Sequence, residues 1–196
     1  MTEAEWNSCD DAGVMLDYLW QQYGVSPYFC DLRFGGDLRD DPPENASVGL
    51  DRALHRFYVA SCRRIWKLLP QEASRRGVEL AEQFLAGEVS AEEISNYNWH
   101  VEGAAFCIDY NTAPEDIQRW VGEVRALPAD ELRSILHVNE ADEDIKPREL
   151  LKQAAYFVDY AMIYPSLSPK GPPPRVYRPF LSAAELRQYV SYPRTS

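Results

Sequence analysis

The sequence is short of the residue spacings on which recognisable chemistry depends. Its four cysteines, Cys9, Cys30, Cys62 and Cys107, stand singly and far apart, without the paired C-x-x-C spacing of zinc and redox sites. They read as reduced thiols rather than as a disulfide framework. Only three histidines occur, His55, His100 and His137, and no H-x-x-x-H or H-E-x-x-H spacing puts two of them on one helical face. Cys62 and His55 lie seven positions apart on one expected helix, roughly 10 Å along its axis, which excludes direct hydrogen bonding as a nucleophile–base dyad. Gly35-Gly36 is not followed by the Lys and Ser/Thr of a phosphate loop. The acidic stretches DLRDDPPE (37–44) and NEADED (139–144) lack the spaced Gly and distal Glu of a calcium loop. No catalytic residue, metal ligand or cofactor is expected unless the fold gathers the dispersed His and Cys.

Long apolar runs are missing too. None approaches the roughly 20 residues of a membrane span, and the opening MTEAEWNSCDDAG is acidic where a secretory signal would be basic. The expectation is a cytoplasmic protein with no membrane partner. Basic charge is also in deficit: 20 Lys and Arg face 31 Asp and Glu, a net charge of −11, which argues against nucleic acid as a partner. The charge alternates along the chain. Residues 1–46 hold ten acids and two bases, 47–76 two acids and seven bases, 77–146 sixteen acids and four bases, and 147–196 three acids and seven bases. Segments of opposite sign are expected to face one another in the fold, each surface pair contributing only about 0–1 kcal/mol.

What the sequence does contain is helix punctuation. The S/T-x-x-E capping box occurs at Thr2/Glu5, Ser90/Glu93, Thr112/Glu115 and Ser182/Glu185, each ahead of apolar residues at helical spacing. Asp10 or Asp11 is placed to cap a helix through Val14, Met15, Tyr18, Leu19 and Tyr23, stopped by Gly24. Residues 24–46, rich in Gly, Pro and Asp, read as a long loop pinned by Tyr28, Phe29, Leu32 and Phe34. A helix over about 47–69 carries the seam Leu50, Leu54, Phe57, Ser61, Ile65 and Leu68 and ends at Pro70. Another over about 72–86 ends at Gly87. A third, from Ser90 to near Asn111, runs through Ile94, Tyr97, Trp99, Val101, Ala105, Phe106 and Ile108. A fourth starts at Thr112 with Pro114 in its first turn, and a short one follows Pro128. The stretch from Pro147, PRELLKQAAYFVDYAMIYP, is apolar on more than one face, which marks it as a central helix. Residues 165–180 hold six of the fourteen prolines, so residues 164–181 are expected to be an extended strap; a last helix runs from Ser182 to about Tyr192. No period-two pattern persists. The fold expected is all-α, a single domain over 1–196 forming a bundle of about seven or eight helices, with a 24–46 loop and a Pro-rich C-terminal strap.

Two stretches carry a further signal. Thr2, Glu3, Ala4, Glu5, Trp6, Cys9, Asp10, Met15 and Leu16, then Leu54, Phe57, Ala60, Cys62, Arg63, Arg64, Ile65, Trp66, Leu68 and Leu69, then Ser74, Arg75, Val78, Glu79, Ala81, Glu82, Gly87, Ser90, Glu92 and Glu93 together resemble the TEAEW and CRRIW motifs of an uncharacterised helical family of planctomycete bacteria. The resemblance covers about the first half of the chain. It departs at residues 24–46, which look inserted, at Ser61, where the family has the first of two cysteines, and over 147–196. It implies bacterial origin and transfers no catalytic residue.

Two groups of residues are candidates for binding. Arg52, Arg56, Arg63 and Lys67 recur near one face of the CRRIW helix, with Arg64, Arg75 and Arg76 close by; of these, Arg56, Arg63, Arg64 and Lys67 are the four binding candidates, suited either to an anionic ligand or to pairing with Glu79, Glu82 and the acids of 1–46 while Trp66 packs in the core. Twelve Tyr and five Trp supply the aromatic side chains that interfaces favour. The C-terminal set Tyr164, Tyr177, Phe180, Tyr189 and Tyr192, interleaved with Arg175, Arg178, Arg187 and Arg194, is the better interface candidate among them. The function expected is a non-enzymatic helical interaction module, an adaptor or regulatory subunit with a protein partner. The competing readings are a component of a defence or toxin–antitoxin system that binds a basic protein or mimics nucleic acid, and an enzyme assembled from His55, His100 and Cys62.

Overall fold

A computed structural model of the chain describes residues 1–23, 46–137, 146–163 and 175–192, with backbone alone at 23, 46–49, 51 and 163. The expected 24–46 loop with its pinning aromatics, the acidic stretch 139–144, and Cys30, Tyr164 and Arg194 therefore lie outside the described residues, apart from Ala46. Among the described residues there are nine α-helices, two 3₁₀ turns and no strand. The helices are α1 (Glu3–Ser8), α2 (Ala12–Tyr23), α3 (Ala46–Arg64), α4 (Glu72–Ala86), α5 (Ala91–Asp109), α6 (Pro114–Arg125), α7 (Ala129–Ile135), α8 (Pro147–Ile163) and α9 (Ala183–Tyr189). The fold is all-α, as the helical spacing requires. No described helix is long and apolar enough to cross a membrane.

Local sequence sets most of the helix ends. At α1 and α5 the full capping box forms: Thr2 Oγ1 accepts from the Glu5 amide at 3.2 Å while Glu5 accepts from the Thr2 amide at 2.6 Å, and Ser90 and Glu93 repeat the exchange. Asp11 caps α2, its Oδ1 accepting from Gly13 N at 2.7 Å and Val14 N at 3.1 Å. Gly87 ends α4 at φ 79°, a left-handed conformation that glycine adopts without a Cβ penalty.

Three expected features differ. Thr112 caps nothing, because Pro114 occupies the first helical position and makes Ala113 the N-cap of α6. The long helix expected to reach Leu69 stops at Arg64, and residues 66–68 tighten into the first 3₁₀ turn ahead of Pro70. Part of the expected extended strap is also helical: residues 175–180 wind into a second 3₁₀ turn, with Pro179 inside it. That turn is fixed by packing. Tyr177 and Phe180 lie 5.4 and 5.6 Å, centroid to centroid, from the ring of Phe157 on α8.

The central helix is α8, which packs against α3, α4, α5, α6 and both 3₁₀ turns. Its Leu150, Leu151, Ala154, Ala155, Phe157, Val158, Ala161 and Met162 are all buried, so most of its circumference is covered, as its apolar pattern requires. Where α4 meets α5 and α8, Gly77 lets the helices approach: a Cβ there would stand 2.6 Å from Val101 Cγ2 and 3.3 Å from Met162 Sδ.

The chain ends are stitched together. The Arg187 guanidinium on α9 donates to Trp6 O at 3.1 Å and Cys9 O at 2.6 Å, and Tyr192 Oη donates to Met1 O at 3.0 Å. The buried Trp6 indole sits beside the rings of Tyr18 and Tyr192, which stack on each other.

Gly77→Ala separates two opposing effects. Alanine gains about 1 kcal/mol of helix propensity over glycine, yet its methyl would overlap a β-branched neighbour fixed in the core, and overpacking costs about 1–3 kcal/mol. Denaturant unfolding should show net destabilisation for Gly77→Ala and a gain of up to about 1 kcal/mol for Gly103→Ala, where a Cβ meets nothing within 4 Å.

Candidate functional site

The basic residues of the CRRIW segment have internal partners for the most part. Arg63 forms a two-point contact with Glu82, Nε to Oε1 and Nη2 to Oε2 both at 2.6 Å, and its guanidinium lies 4.2 Å from the Trp66 ring centroid. Glu82 raises the pKa of that guanidinium above its ordinary value. Lys67 pairs with Glu131. Arg64 reaches furthest inward: it donates to the carbonyls of Ile135 and Phe180, and its Nε stands 3.4 Å from Glu185 Oε2. Burial lowers its pKa, and Glu185 opposes that shift. One side chain thus joins the end of α3 to the end of α7, the second 3₁₀ turn and α9. Glu185 accepts from the buried Ser61 as well, at 3.4 Å. Of the four, only the exposed Arg56 forms no ion pair with another described residue.

Of the C-terminal candidates, Tyr177 and Phe180 are packed rather than displayed, while Arg175 and Tyr189 are exposed. Phe180 is fully buried and Tyr177 nearly so, with burial raising the Tyr177 hydroxyl pKa. Arg178 Nη2 donates to Asp17 Oδ2 at 2.8 Å, with Asp11 at 3.7 Å, and its guanidinium covers Gly13, where a Cβ would come within 2.5 Å. The aromatic side chains hold this stretch against α8, where Tyr177 and Phe180 pack on Phe157, and Arg178 ties it to α2.

Titratable groups sit in separate surroundings. His55 is buried against Phe84 on α4, and its pKa is lowered to about 3, chiefly by burial. Burial pushes the Cys62 thiol well up, which keeps it out of the reactive thiolate form. His100 lies on the surface of α5 against Tyr97. His137 follows α7, with burial and then the charge of Arg64 holding its pKa down. No group of three or more His, Cys, Asp or Glu is arranged to hold a metal among the described residues. The apolar gap beside Cys62, bounded by Val59, Val78, Val158 and Met162, has no room for a water molecule.

What the sequence pattern did not find is on α5. Its buried stripe is Ile94, Asn98, Val101, Ala104, Ala105 and Ile108. Diametrically opposite, at i, i+4, i+7 and i+11 spacing, stand Trp99, Gly103, Phe106 and Tyr110. Trp99 is 76% exposed, Tyr110 72% and Phe106 40%. Trp99 and Phe106, which the helical spacing leaves undivided from the core residues of α5, are thus on the solvent face. Phe106 is held edge-on between Tyr110 and Tyr156, at 5.7 and 6.1 Å between centroids. Tyr156 Oη in turn donates to Asp109 at 3.1 Å, so the lower end of this ridge is set by both α5 and α8.

The chain matches no protein-family model, and neither a curated protein nor a solved structure matches it.

Two outcomes check these assignments. Arg64→Ala should cost roughly 3 kcal/mol, because it strands a partly buried carboxylate and two carbonyls. Arg63→Ala, which breaks a half-exposed pair, should cost under about 1 kcal/mol; equal losses in chemical denaturation would contradict the distinction. For His55, the folded pKa of about 3 lies below the ordinary 6.5. As pH falls below 6.5 the unfolded chain therefore takes up a proton that the fold refuses. Stability should fall by about 1.4 kcal/mol per pH unit from near 6.5 towards 3, and His55→Leu should remove that part of the slope in a comparison of the two unfolding profiles.

Proposed function

We propose that the chain is a non-enzymatic helical interaction module whose contact surface is the aromatic ridge of α5. The observation that carries this reading is Trp99, 76% exposed on a face directly opposite the core stripe of its own helix. Trp and Tyr are the residue types that dominate binding energy at protein interfaces, and a Trp, a Phe and a Tyr in line over three turns supply a ridge about 16 Å long. A rigid helix backed by α8 presents it, so little ordering is lost on binding. The likeness of residues 2–93 to a planctomycete-type family supports a bacterial setting, in which the module serves as an adaptor or regulatory subunit for another protein.

A photo-crosslinking phenylalanine analogue placed at position 99, and separately at the exposed control position 88, tests the reading in living cells. The ridge position should give discrete adducts that untagged wild-type protein competes away and a Trp99→Ala competitor does not. Equal labelling at both positions, or none at 99 from folded protein, would sink it.

A further inference from the structure

We infer that the α5 ridge takes a cationic segment of its partner, one that lays arginine or lysine side chains across Trp99, Phe106 and Tyr110. The inference rests on the reading of the ridge as an interface and adds the chemistry of the occupant. It comes from the charges around the rings. Helix α5 carries Glu92, Glu93, Glu102 and Asp109 and has neither lysine nor arginine. At roughly 100° per residue, Glu92 lies close to the line of the ridge, while Glu102 and Asp109 flank it on one side. Two of these four carboxylates are engaged: Glu93 in the cap with Ser90, and Asp109 with Tyr156 and Lys152. Glu92 and Glu102 form no hydrogen bond or ion pair with another described residue.

Exposed π-faces beside unpaired carboxylates are the complement of a guanidinium, whose plane stacks on a ring while its edge donates to oxygen. Gly103 adds a notch between Trp99 and Phe106, since a Cβ there would meet nothing within 4 Å. A ridge of three turns suits an amphipathic helix bearing cations at i, i+4 and i+7. Two other occupants fit less well. A second copy of this chain would set the same acidic face against itself in a molecule of net charge −11, and like charges so placed oppose association. A purely apolar partner would bury Glu92 and Glu102 without compensation.

The test titrates the full chain by calorimetry with an 18-residue Ala/Gln helix peptide carrying arginines at i, i+4, i+7 and i+11, and with the same peptide carrying glutamates. The arginine peptide should bind and the glutamate peptide should not. Trp99→Ala should weaken binding about tenfold or more, and Glu102→Gln about threefold. Glu102→Lys should give the glutamate peptide measurable affinity. Thermal unfolding of each variant verifies that it is folded, which these exposed positions favour. Unchanged affinity in Trp99→Ala, equal binding of the two peptides, or binding of neither overturns the inference. So does a concentration-dependent dimer abolished by Trp99→Ala, which would make a second copy the occupant. Crosslinks at position 99 that persist while the arginine peptide fails would leave the interface standing and reject only its cationic partner; loss of both would reject both.

Discussion

The burial of α8 is the constraint from which the rest of the architecture follows. A helix covered by α3, α4, α5, α6 and two 3₁₀ turns can be approached on so many sides only if its neighbours come close, and the buried surfaces reflect that. Ala154, Ala155 and Ala161 on α8 share the core with Ala104 and Ala105 on α5, and Gly77 removes the one Cβ that would hold α4 away. Small residues at the crossing leave no volume for an indole or a phenyl ring. The large rings of α5 are therefore carried on its other side, and the ridge is the outward consequence of close packing within.

The polar contacts complete this arrangement without opening it. Arg64 extends the reach of α3 to three segments that are far apart in sequence, and Arg187 and Arg178 do the same between the C-terminal segment and the first two helices. Alternation of charge along the chain is realised here as long-range pairing, with the bases of 175–192 meeting the acids and carbonyls of 1–23. The same pairing explains why a basic cluster that looks ready for an anion has little capacity left for one: the donors of Arg63, Arg64 and Lys67 are directed at Glu82, Glu131, Glu185 and main-chain carbonyls.

Much of the fold was legible because helix ends are local. Thr2 and Ser90 with their glutamates, Asp11, Gly87, and the prolines at 114, 128 and 147 each act within one turn, so sequence alone locates the boundaries they govern. The central place of α8 was legible for a different reason, since apolar residues on more than one face have only one environment to go to. The candidate site was not legible. In α5 the apolar residues occupy both faces, so two helical phases fit the periodicity equally, and the choice is made by α8 rather than by α5. Asn98 inward and Trp99 outward reverses the ordinary preference of each residue. Likewise nothing local tells Arg63 from its neighbour Arg64, although a rotation of roughly 100° separates a surface pair from a side chain that joins four elements. Tyr177 and Phe180 lie beyond the regular helical pattern, so no local periodicity marks them as part of the core that Phe157 organises.

The outward phase of α5 is measured most directly by fluorine NMR on protein labelled with 5-fluorotryptophan, its five resonances assigned by single Trp→Phe substitutions. Trp99, which is 76% exposed, should show a near-maximal H₂O/D₂O solvent isotope shift, and Trp6, which is 1% exposed, almost none. A Trp99 signal as shielded from solvent as that of Trp6 would contradict the outward phase of α5, and with it the ridge.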